Sequence, residues 1–305
     1  PGSSSETRAG GWDFLVRHLA GLPGVDTQSA KQRVLGEFEN SKVAATACAT
    51  AIEMLERNPV LHIKRTTRLP ILTPIGSLER KSIATEVEAA IGAGFGTLKV
   101  KVGNDVLADI ERLGWIQAAT QRHATLRIDA NRAYSREDAI KFAAGIDPEG
   151  VELFEQPCDA DDWEANADVA RLSSIPLMLD EPICSLADIE RAAELPGVDY
   201  CKVKLKRFGS LEGLQAGIDH IYRHGMTPVL GDGLGSEIHS WLEACVAARS
   251  ITNAGEFNGF LKPVERLFAN PLAFSDGAIT LTEAYWPELD RATFERLTVE
   301  TREFG

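Results

Sequence analysis

Residues 177–182 read Leu-Met-Leu-Asp-Glu-Pro, a short apolar run that ends in two carboxylates and a proline. Similar runs precede it at 126–129, which ends in Asp129, and at 153–155, which ends in Glu155. A longer amphipathic segment follows each run. A strand followed by a helix, repeated along the chain, predicts parallel strands joined by crossover helices. These runs therefore indicate an α/β fold in which several strands end in an acidic side chain.

The same alternation extends in both directions from this stretch. The predicted strands are 69–73, 97–102, 126–129, 150–154, 177–180, 199–205, 228–230 and 252–257. Eight strands in roughly 220 residues match a (β/α) barrel better than an open sheet. No glycine-rich GxGxxG follows the first strand, which disfavours a dinucleotide-binding sheet. Upstream, segments 29–39 and 41–57 are rich in helix-favouring and small residues, and we predict helices there.

The composition of the 305-residue chain narrows the classes of function. It is 44% hydrophobic and 25% charged with a net charge of −13, which is typical of a soluble globular protein. So acidic a chain is a poor candidate for general binding to nucleic acid or anionic lipid. Apolar runs are too short to span a membrane, no signal peptide is visible, and the five cysteines lack CxxC spacing. We therefore expect a cytoplasmic protein with reduced thiols, and we expect the natural chain to begin upstream of Pro1.

Ionisable residues recur at the predicted strand ends with the spacing of one βα unit. Five of them are separated by 28, 26, 25 and 24 residues: Lys101, Asp129, Glu155, Asp180 and Lys204. Side chains at the carboxyl ends of successive parallel strands meet at one mouth of a barrel, where barrel active sites are built. The spacing therefore predicts that these five groups converge.

Three converging carboxylates repel one another unless a cation neutralises them. Asp129, Glu155 and Asp180 offer only oxygen ligands, which suit Mg²⁺ or Mn²⁺, and no histidine or cysteine joins the set, which disfavours zinc. The sequence therefore predicts a magnesium site formed by these three residues, with positions left for a carboxylate substrate.

The lysines that flank the carboxylates are candidates for proton transfer. A metal ion and a neighbouring ammonium both disfavour another positive charge, so a lysine between them loses its proton more readily. Lys101, next to Lys99 on the same strand face, has that environment. We predict that it removes the α-proton of a metal-bound carboxylate, giving an enediolate.

The ordered set KVK (99–101), DAN (129–131), FEQP (154–157), LDEP (179–182) and KVK (202–204) resembles the enolase superfamily, muconate-lactonizing subgroup, whose sites pair a basic residue with magnesium. The opening PGSSSET (1–7) is similar to a capping-domain segment of that family. The resemblance implies a (β/α)₇β TIM-type barrel over 69–285, a partial, mainly helical N-terminal capping domain over 1–68, and a C-terminal segment (286–305) that returns to the cap.

The resemblance also implies roles for individual residues. Asp129, Glu155 and Asp180 would bind Mg²⁺, while Lys101 and Lys204 would face each other across a small-molecule carboxylate. Lys99 would support the substrate carboxylate or tune Lys101, and Asn131 would contact the substrate or the ligands. Asp232, in GDGLGSE, is equally a substrate contact or a helix cap. A homo-oligomer is possible.

The chain departs from the family at several positions. Many members have Asn in place of Lys202 and Gly-Gly in place of Gly209-Ser210. No Asp-x-Asp pair of the kind that dipeptide epimerases use for the substrate ammonium occurs near 253–256.

Several functions stay open. With one lysine as base, the expected reaction is β-elimination or cycloisomerisation, as in o-succinylbenzoate synthase or muconate cycloisomerase. With both lysines active, it is racemisation or epimerisation of an amino-acid derivative. A Schiff-base aldolase using Lys204 and a catalytically inactive metal-binding relative are also compatible with the sequence. The six histidines fall on predicted helices or loop edges, where we expect them to form no cluster and to be non-catalytic, and His239 is the one that we single out for inspection.

Overall fold

The computed structural model describes residues 6–304, so most of the PGSSSET segment lies outside the described residues. Its centre is a curled, seven-stranded parallel sheet in which the strands follow one another in chain order. These strands are β2 (Thr73–Ile75), β3 (Thr97–Lys101), β4 (Thr125–Asp129), β5 (Val151–Glu155), β6 (Leu177–Leu179), β7 (Val198–Val203) and β8 (Thr227–Leu230). The predicted α/β class and six of the eight predicted strands are therefore confirmed.

Helices connect the strands and cover the outside of the sheet. They are α4 (Arg80–Gly92), α5 (Val106–Thr120), α6 (Arg136–Gly145), α7 (Trp163–Leu172), α8 (Leu186–Ala193), α9 (Leu205–Phe208), α10 (Leu211–Arg223) and α11 (Glu237–Ser250). Apolar side chains of helices and strands form one continuous core. Side chains that cap the helices, such as Asp105 on α5 and Ser135 on α6, accept hydrogen bonds from the first turn.

The predicted eighth strand, 252–257, is not a regular strand. It nevertheless joins the two edges of the curled sheet, because the Glu256 N–H donates to Leu230 O (2.8 Å) and the Leu72 N–H donates to Gly255 O (3.0 Å). Its ladder is limited to one isolated parallel bridge, between Ile71 and Gly255. The prediction of a regular strand was therefore wrong, although the segment lies beside β8 as expected.

The predicted first strand, 69–73, is also wrong in its bounds. Leu69 belongs to β1 (Thr67–Pro70), which pairs antiparallel with β10 (Ala278–Leu281), and β10 pairs with β9 (Ala273–Ser275). The parallel strand β2 begins only at Thr73. Because Leu69, Ile71 and Leu72 are all buried, the apolar pattern runs without a break from one sheet into the other.

The N-terminal residues form α1 (Arg8–Leu19), α2 (Thr27–Gly36) and α3 (Lys42–Leu55), which share a small apolar cluster of their own. Glu53 on α3 accepts the Leu211 N–H at the start of α10 (2.9 Å), which ties these helices to the sheet domain. After α12 (Arg291–Leu297), Val299 and Glu300 line a cavity together with Trp12 of α1. The division at 68 and 285 stays a prediction. Within 6–304, none of the helices combines the length and apolar content that a membrane crossing needs.

Candidate active site

Strand register brings three of the predicted site residues into one row. Lys101 on β3 lies opposite Asp129 on β4, and Asp129 lies opposite Glu155 on β5. Asp180 directly follows β6, and Lys204 directly follows β7 as the residue before α9. A cavity of about 560 Å³ at this end of the sheet is lined by Lys101, Asp129, Asp180 and Lys204, while Glu155 is fully buried.

Two turns hold the carboxylates in place. Asn131 adopts a left-handed backbone conformation (φ 44°), which asparagine tolerates well, and its N–H donates to Asp129 Oδ1 (2.8 Å). Gln156 also has a positive φ (37°), and its side-chain Oε1 accepts the Asp180 N–H at 2.9 Å. Asn131 of the DAN motif therefore orients the Asp129 carboxylate, and Gln156 of the FEQP motif orients the backbone of Asp180.

Asp180 is the most strongly held of the three carboxylates. Its Oδ2 lies 2.8 Å from the Lys204 ammonium, and its Oδ1 lies 2.8 Å from Arg207 Nη1. Burial by itself raises the pKa of Asp180, but the charges of Lys204 and Arg207 outweigh it and lower that pKa well below its usual range. Asp180 is therefore an anion at neutral pH.

Glu155 belongs to a buried ring of four alternating charges, which we call the buried quartet: Glu155, Lys99, Glu256 and Lys202. The Lys99 ammonium lies 2.7 Å from Glu155 Oε2 and 2.7 Å from Glu256 Oε1. The Lys202 ammonium lies 2.7 Å from Glu256 Oε2 and 3.5 Å from Glu155 Oε1. Burial and the nearby charge of Asp129 raise the pKa of Glu155 to about 7, whereas Lys202 and Lys99 outweigh burial at Glu256 and lower its pKa.

Glu256 was missed by the sequence analysis. It follows Asp232, in the preceding βα unit, by 24 residues, within the range of 24 to 28 that separates the five predicted site residues. The same spacing could have found it. Lys202, noted only as a departure from the family, proves to be its fully buried partner.

Lys101 is more open than the rest of the site. Its side chain is 52% exposed, and its ammonium contacts Asp129 Oδ2 (2.5 Å) and Asn131 Oδ1. The backbone beneath it is fixed, because Arg112 on α5 donates to the Lys101 carbonyl (2.7 Å) and to Ile75 O (2.9 Å).

The remaining predicted residue, Asp232, lines the same cavity but pairs with Lys206 at 2.7 Å. It is not a helix cap, since Ser236 caps α11 by accepting the His239 N–H. At the rim, Glu181 forms an ion pair with Arg132 (3.4 Å), and Lys262 also lines the cavity.

The donor set fits a hard divalent cation. Asp129, Glu155 and Asp180 supply buried carboxylate oxygens without nitrogen or sulfur donors, as magnesium prefers. Within the described chain, Glu155 Oε1 accepts no hydrogen bond, so it has a lone pair available for a ligand bond. The Lys99 ammonium, 2.9 Å from Asp129 Oδ2 and 2.7 Å from Glu155 Oε2, shares this corner of the site.

Comparison with known proteins shows which proteins this chain is similar to. Muconate cycloisomerase 1 from Rhodococcus opacus is 30% identical over 243 residues, which cover 72% of this chain and 64% of that protein. The L-Ala-D/L-Glu epimerase from Clostridium acetobutylicum is 36% identical over 124 residues, 40% of this chain and 35% of that protein. The matched stretches thus span between about one third and two thirds of these relatives' lengths.

A solved structure and a family model extend the comparison. A mandelate racemase/muconate lactonizing protein from Herpetosiphon aurantiacus superimposes with a TM-score of 0.81 at 25% identity, covering 92% of this chain and 81% of that one. The family model described as "Enolase C-terminal domain-like" matches residues 82–285, which include all the candidate ligands and lysines. The chain therefore belongs to the enolase C-terminal domain-like family, within the enolase superfamily.

Proposed function

We propose that this protein is a magnesium-dependent enzyme that removes the α-proton of a small carboxylate substrate to give an enediolate. The single observation that supports this most is that Lys101, Asp129, Asp180 and Lys204 line one cavity, with Glu155 buried beside Asp129 in the same row of strand ends. Manganese is an alternative metal with the same ligand preferences.

In this proposal Asp129, Glu155 and Asp180 hold the metal. A bound divalent ion would draw electron density from the substrate carboxylate and offset the negative charge that develops when the α-proton leaves. Asp129 and Asp180 are already anionic because of the cations beside them, so they bind without first losing a proton. The buried quartet fixes the orientation of Glu155 from below.

Lys101 is the proposed base. Its flexible, half-exposed side chain can reach a substrate α-carbon and exchange its proton with solvent. Lys99, 7% exposed and surrounded by three carboxylates, places a second positive charge two residues away on the same strand. Lys204, held by Asp180, would act as an electrostatic partner on the opposite side of the substrate.

With one basic lysine, the enediolate collapses by β-elimination or cycloisomerisation, as the similarity to a muconate cycloisomerase supports. Racemisation or epimerisation of an amino-acid derivative is the second candidate, because both lysines line the same cavity and one relative is an L-Ala-D/L-Glu epimerase. A free substrate ammonium is disfavoured at Glu256, since both of its oxygens are already held by lysines.

An aldolase and an inactive relative make different demands on the site. An aldolase needs an uncharged Lys204 amine. Burial lowers the pKa of Lys204, but the charge of Asp180 outweighs burial, so the net pKa is raised and the uncharged amine is disfavoured. A catalytically inactive relative would bind magnesium without exchanging any substrate proton.

The test is solvent deuterium exchange. A panel of carboxylic acids is incubated with the protein and Mg²⁺ in D₂O, and deuterium at the α-carbon is followed by NMR. We expect exchange that EDTA abolishes and that Asp180→Asn lowers at least about 100-fold. Asp199→Asn, at the exposed opposite end of β7, is the matched control and should exchange normally.

Exchange that persists in EDTA and in Asp180→Asn would refute the metal-dependent mechanism. Tight magnesium binding by calorimetry without exchange on any acid of the panel would instead identify an inactive relative.

A further inference from the structure

A second group of metal-binding side chains lies on the outer wall of the sheet domain. Glu190 is on α8, His220 is on the neighbouring helix α10, and His224 is the residue that ends α10. One ligand atom from each of the three lies within 4.8 Å of the others. The prediction that the histidines form no cluster was therefore wrong, because it followed the order of the chain and not the packing of two helices.

The spacing within α10 explains the arrangement. Residues four apart face the same side of a helix, so His220 and His224 lie one above the other, with ring centroids 4.7 Å apart. The loops and strand between α8 and α10 bring Glu190 to the same spot, where its Oε1 lies 3.0 Å from His220 Nε2. Two imidazoles and a carboxylate thus converge from two helices.

We propose that Glu190, His220 and His224 bind a divalent ion of the zinc, nickel or copper class. Imidazole nitrogen suits these ions, whereas magnesium and calcium prefer oxygen. The proposed site therefore differs chemically from the candidate active site, whose three carboxylates offer only oxygen ligands. None of the three residues lines the active-site cavity.

The geometry needs only small side-chain movements. Zinc bonds of 2.0–2.1 Å in a tetrahedron set the donor atoms about 3.3 Å apart, against an upper limit here of 4.8 Å. His220 and Glu190 already meet this distance. Glu190 and His224 are exposed, so their side chains can rotate to complete the site.

The end of α10 adds a favourable field. The carbonyl ends of a helix carry partial negative charge, which stabilises a cation near its last turn. His220 is in the last turn of α10, and His224 caps it, with its N–H directed at the His220 and Ile221 carbonyls.

Arg223 competes with a metal ion for the His220 ring. Its Nη2 lies 3.1 Å from His220 Nδ1. When Nδ1 accepts from Arg223, the ring proton is on Nε2 and points at Glu190. A metal ion on Nε2 requires the proton on Nδ1 instead, so the exposed Arg223 side chain must turn away. Removing Arg223 should therefore strengthen metal binding.

Calorimetric titration with Zn²⁺ in excess Mg²⁺ tests this, using the full chain. We expect one zinc per chain, at least about tenfold weaker binding in His224→Ala, and several-fold tighter binding in Arg223→Gln. His123→Ala removes an exposed histidine elsewhere and should change nothing. Zinc should also raise the unfolding temperature of the wild type but not of His224→Ala.

The proposal is overturned if zinc does not bind, or if His224→Ala and Glu190→Gln bind it as the wild type does. Since all of these variants alter exposed side chains, their folding should be normal, and circular dichroism checks it.

Discussion

The tripeptide Lys-Val-Lys ends β3 and recurs at the end of β7, where Lys204 directly follows the strand, yet the environments of the two outer lysines differ. The Lys101 side chain is 52% exposed and is shared between Asp129 and Asn131. The Lys204 side chain is 10% exposed and is fixed on Asp180. Because of this difference in solvent access, we expect Lys101 to exchange protons and Lys204 to supply a fixed charge.

The inner lysines of the two tripeptides are much more alike. Lys99 and Lys202 are both buried, and both contact Glu155 and Glu256 in the buried quartet. The difference is that Lys99 also contacts Asp129 at 2.9 Å. From this comparison we expect similar structural roles for the two inner lysines and different chemical roles for the two outer ones.

The largest expected effect is on proton exchange by the outer lysines. If Lys101 is the sole base, Lys101→Ala should lower α-proton exchange by about 10²–10⁴-fold, the usual contribution of a general base. Lys204→Ala should then impair turnover but leave measurable exchange. Deuterium exchange followed by NMR, with each substrate enantiomer separately, measures both.

A different result would contradict the proposed difference between Lys101 and Lys204. In a two-base racemase or epimerase, each variant would lose exchange with one enantiomer and keep it with the other. Lys141→Ala, an exposed lysine on α6, is the control and should retain full exchange.

The next prediction concerns the inner lysines and the free energy of unfolding. Lys202→Met removes one of the two ammonium groups that face Glu155 and Glu256, so the buried quartet keeps one uncompensated negative charge, at a cost of about 3–5 kcal/mol. Lys99→Met should cost at least as much, since Lys99 contacts three carboxylates. Urea unfolding monitored by circular dichroism measures both.

A double variant sharpens this prediction. Lys202→Met with Glu256→Gln removes both charges of one pair, so its cost should be clearly smaller than the sum of the two single costs. Strictly additive costs, or a loss below about 1 kcal/mol in Lys202→Met alone, would contradict a coupled quartet.

Regular spacing made much of the site predictable from the sequence. Lys101, Asp129 and Glu155 stand in one row because parallel strands and helices of similar length repeat the same geometry. The α/β class followed from the same alternation. Glu256 was within reach of that rule, but its segment is irregular and it stood in no familiar motif.

Contacts between distant parts of the chain were not predictable in this way. The apolar run from Leu69 to Leu72 hides the change from an antiparallel to a parallel sheet, because both sheets bury the same kind of side chain. The pairing of Lys202 with Glu256, and of His220 with Glu190, depends on side-chain direction across elements. Neither spacing nor composition encodes that direction.

The smallest expected effect is a pH dependence of stability on the β7 side. His239 Nε2 lies 3.4 Å from Glu243 Oε1, and that same oxygen accepts the Leu205 N–H (3.2 Å) next to Lys204. Burial lowers the pKa of His239, but the charges of Glu243 and Asp232 outweigh burial and the opposing charge of Lys206, so the net pKa is raised.

A raised pKa in the folded state means that protonated His239 stabilises the fold. This contribution is complete below the unfolded-state pKa of about 6.5 and is lost as the pH rises through the higher folded-state pKa. The free energy of unfolding of the wild type relative to His239→Gln should therefore fall, by under about 1 kcal/mol, between pH 6 and pH 8.5. Urea unfolding at the two pH values measures it, and Glu243→Gln should remove most of the dependence. A difference that does not change, or that grows with pH, would show that His239 is not held as a cation beside Glu243.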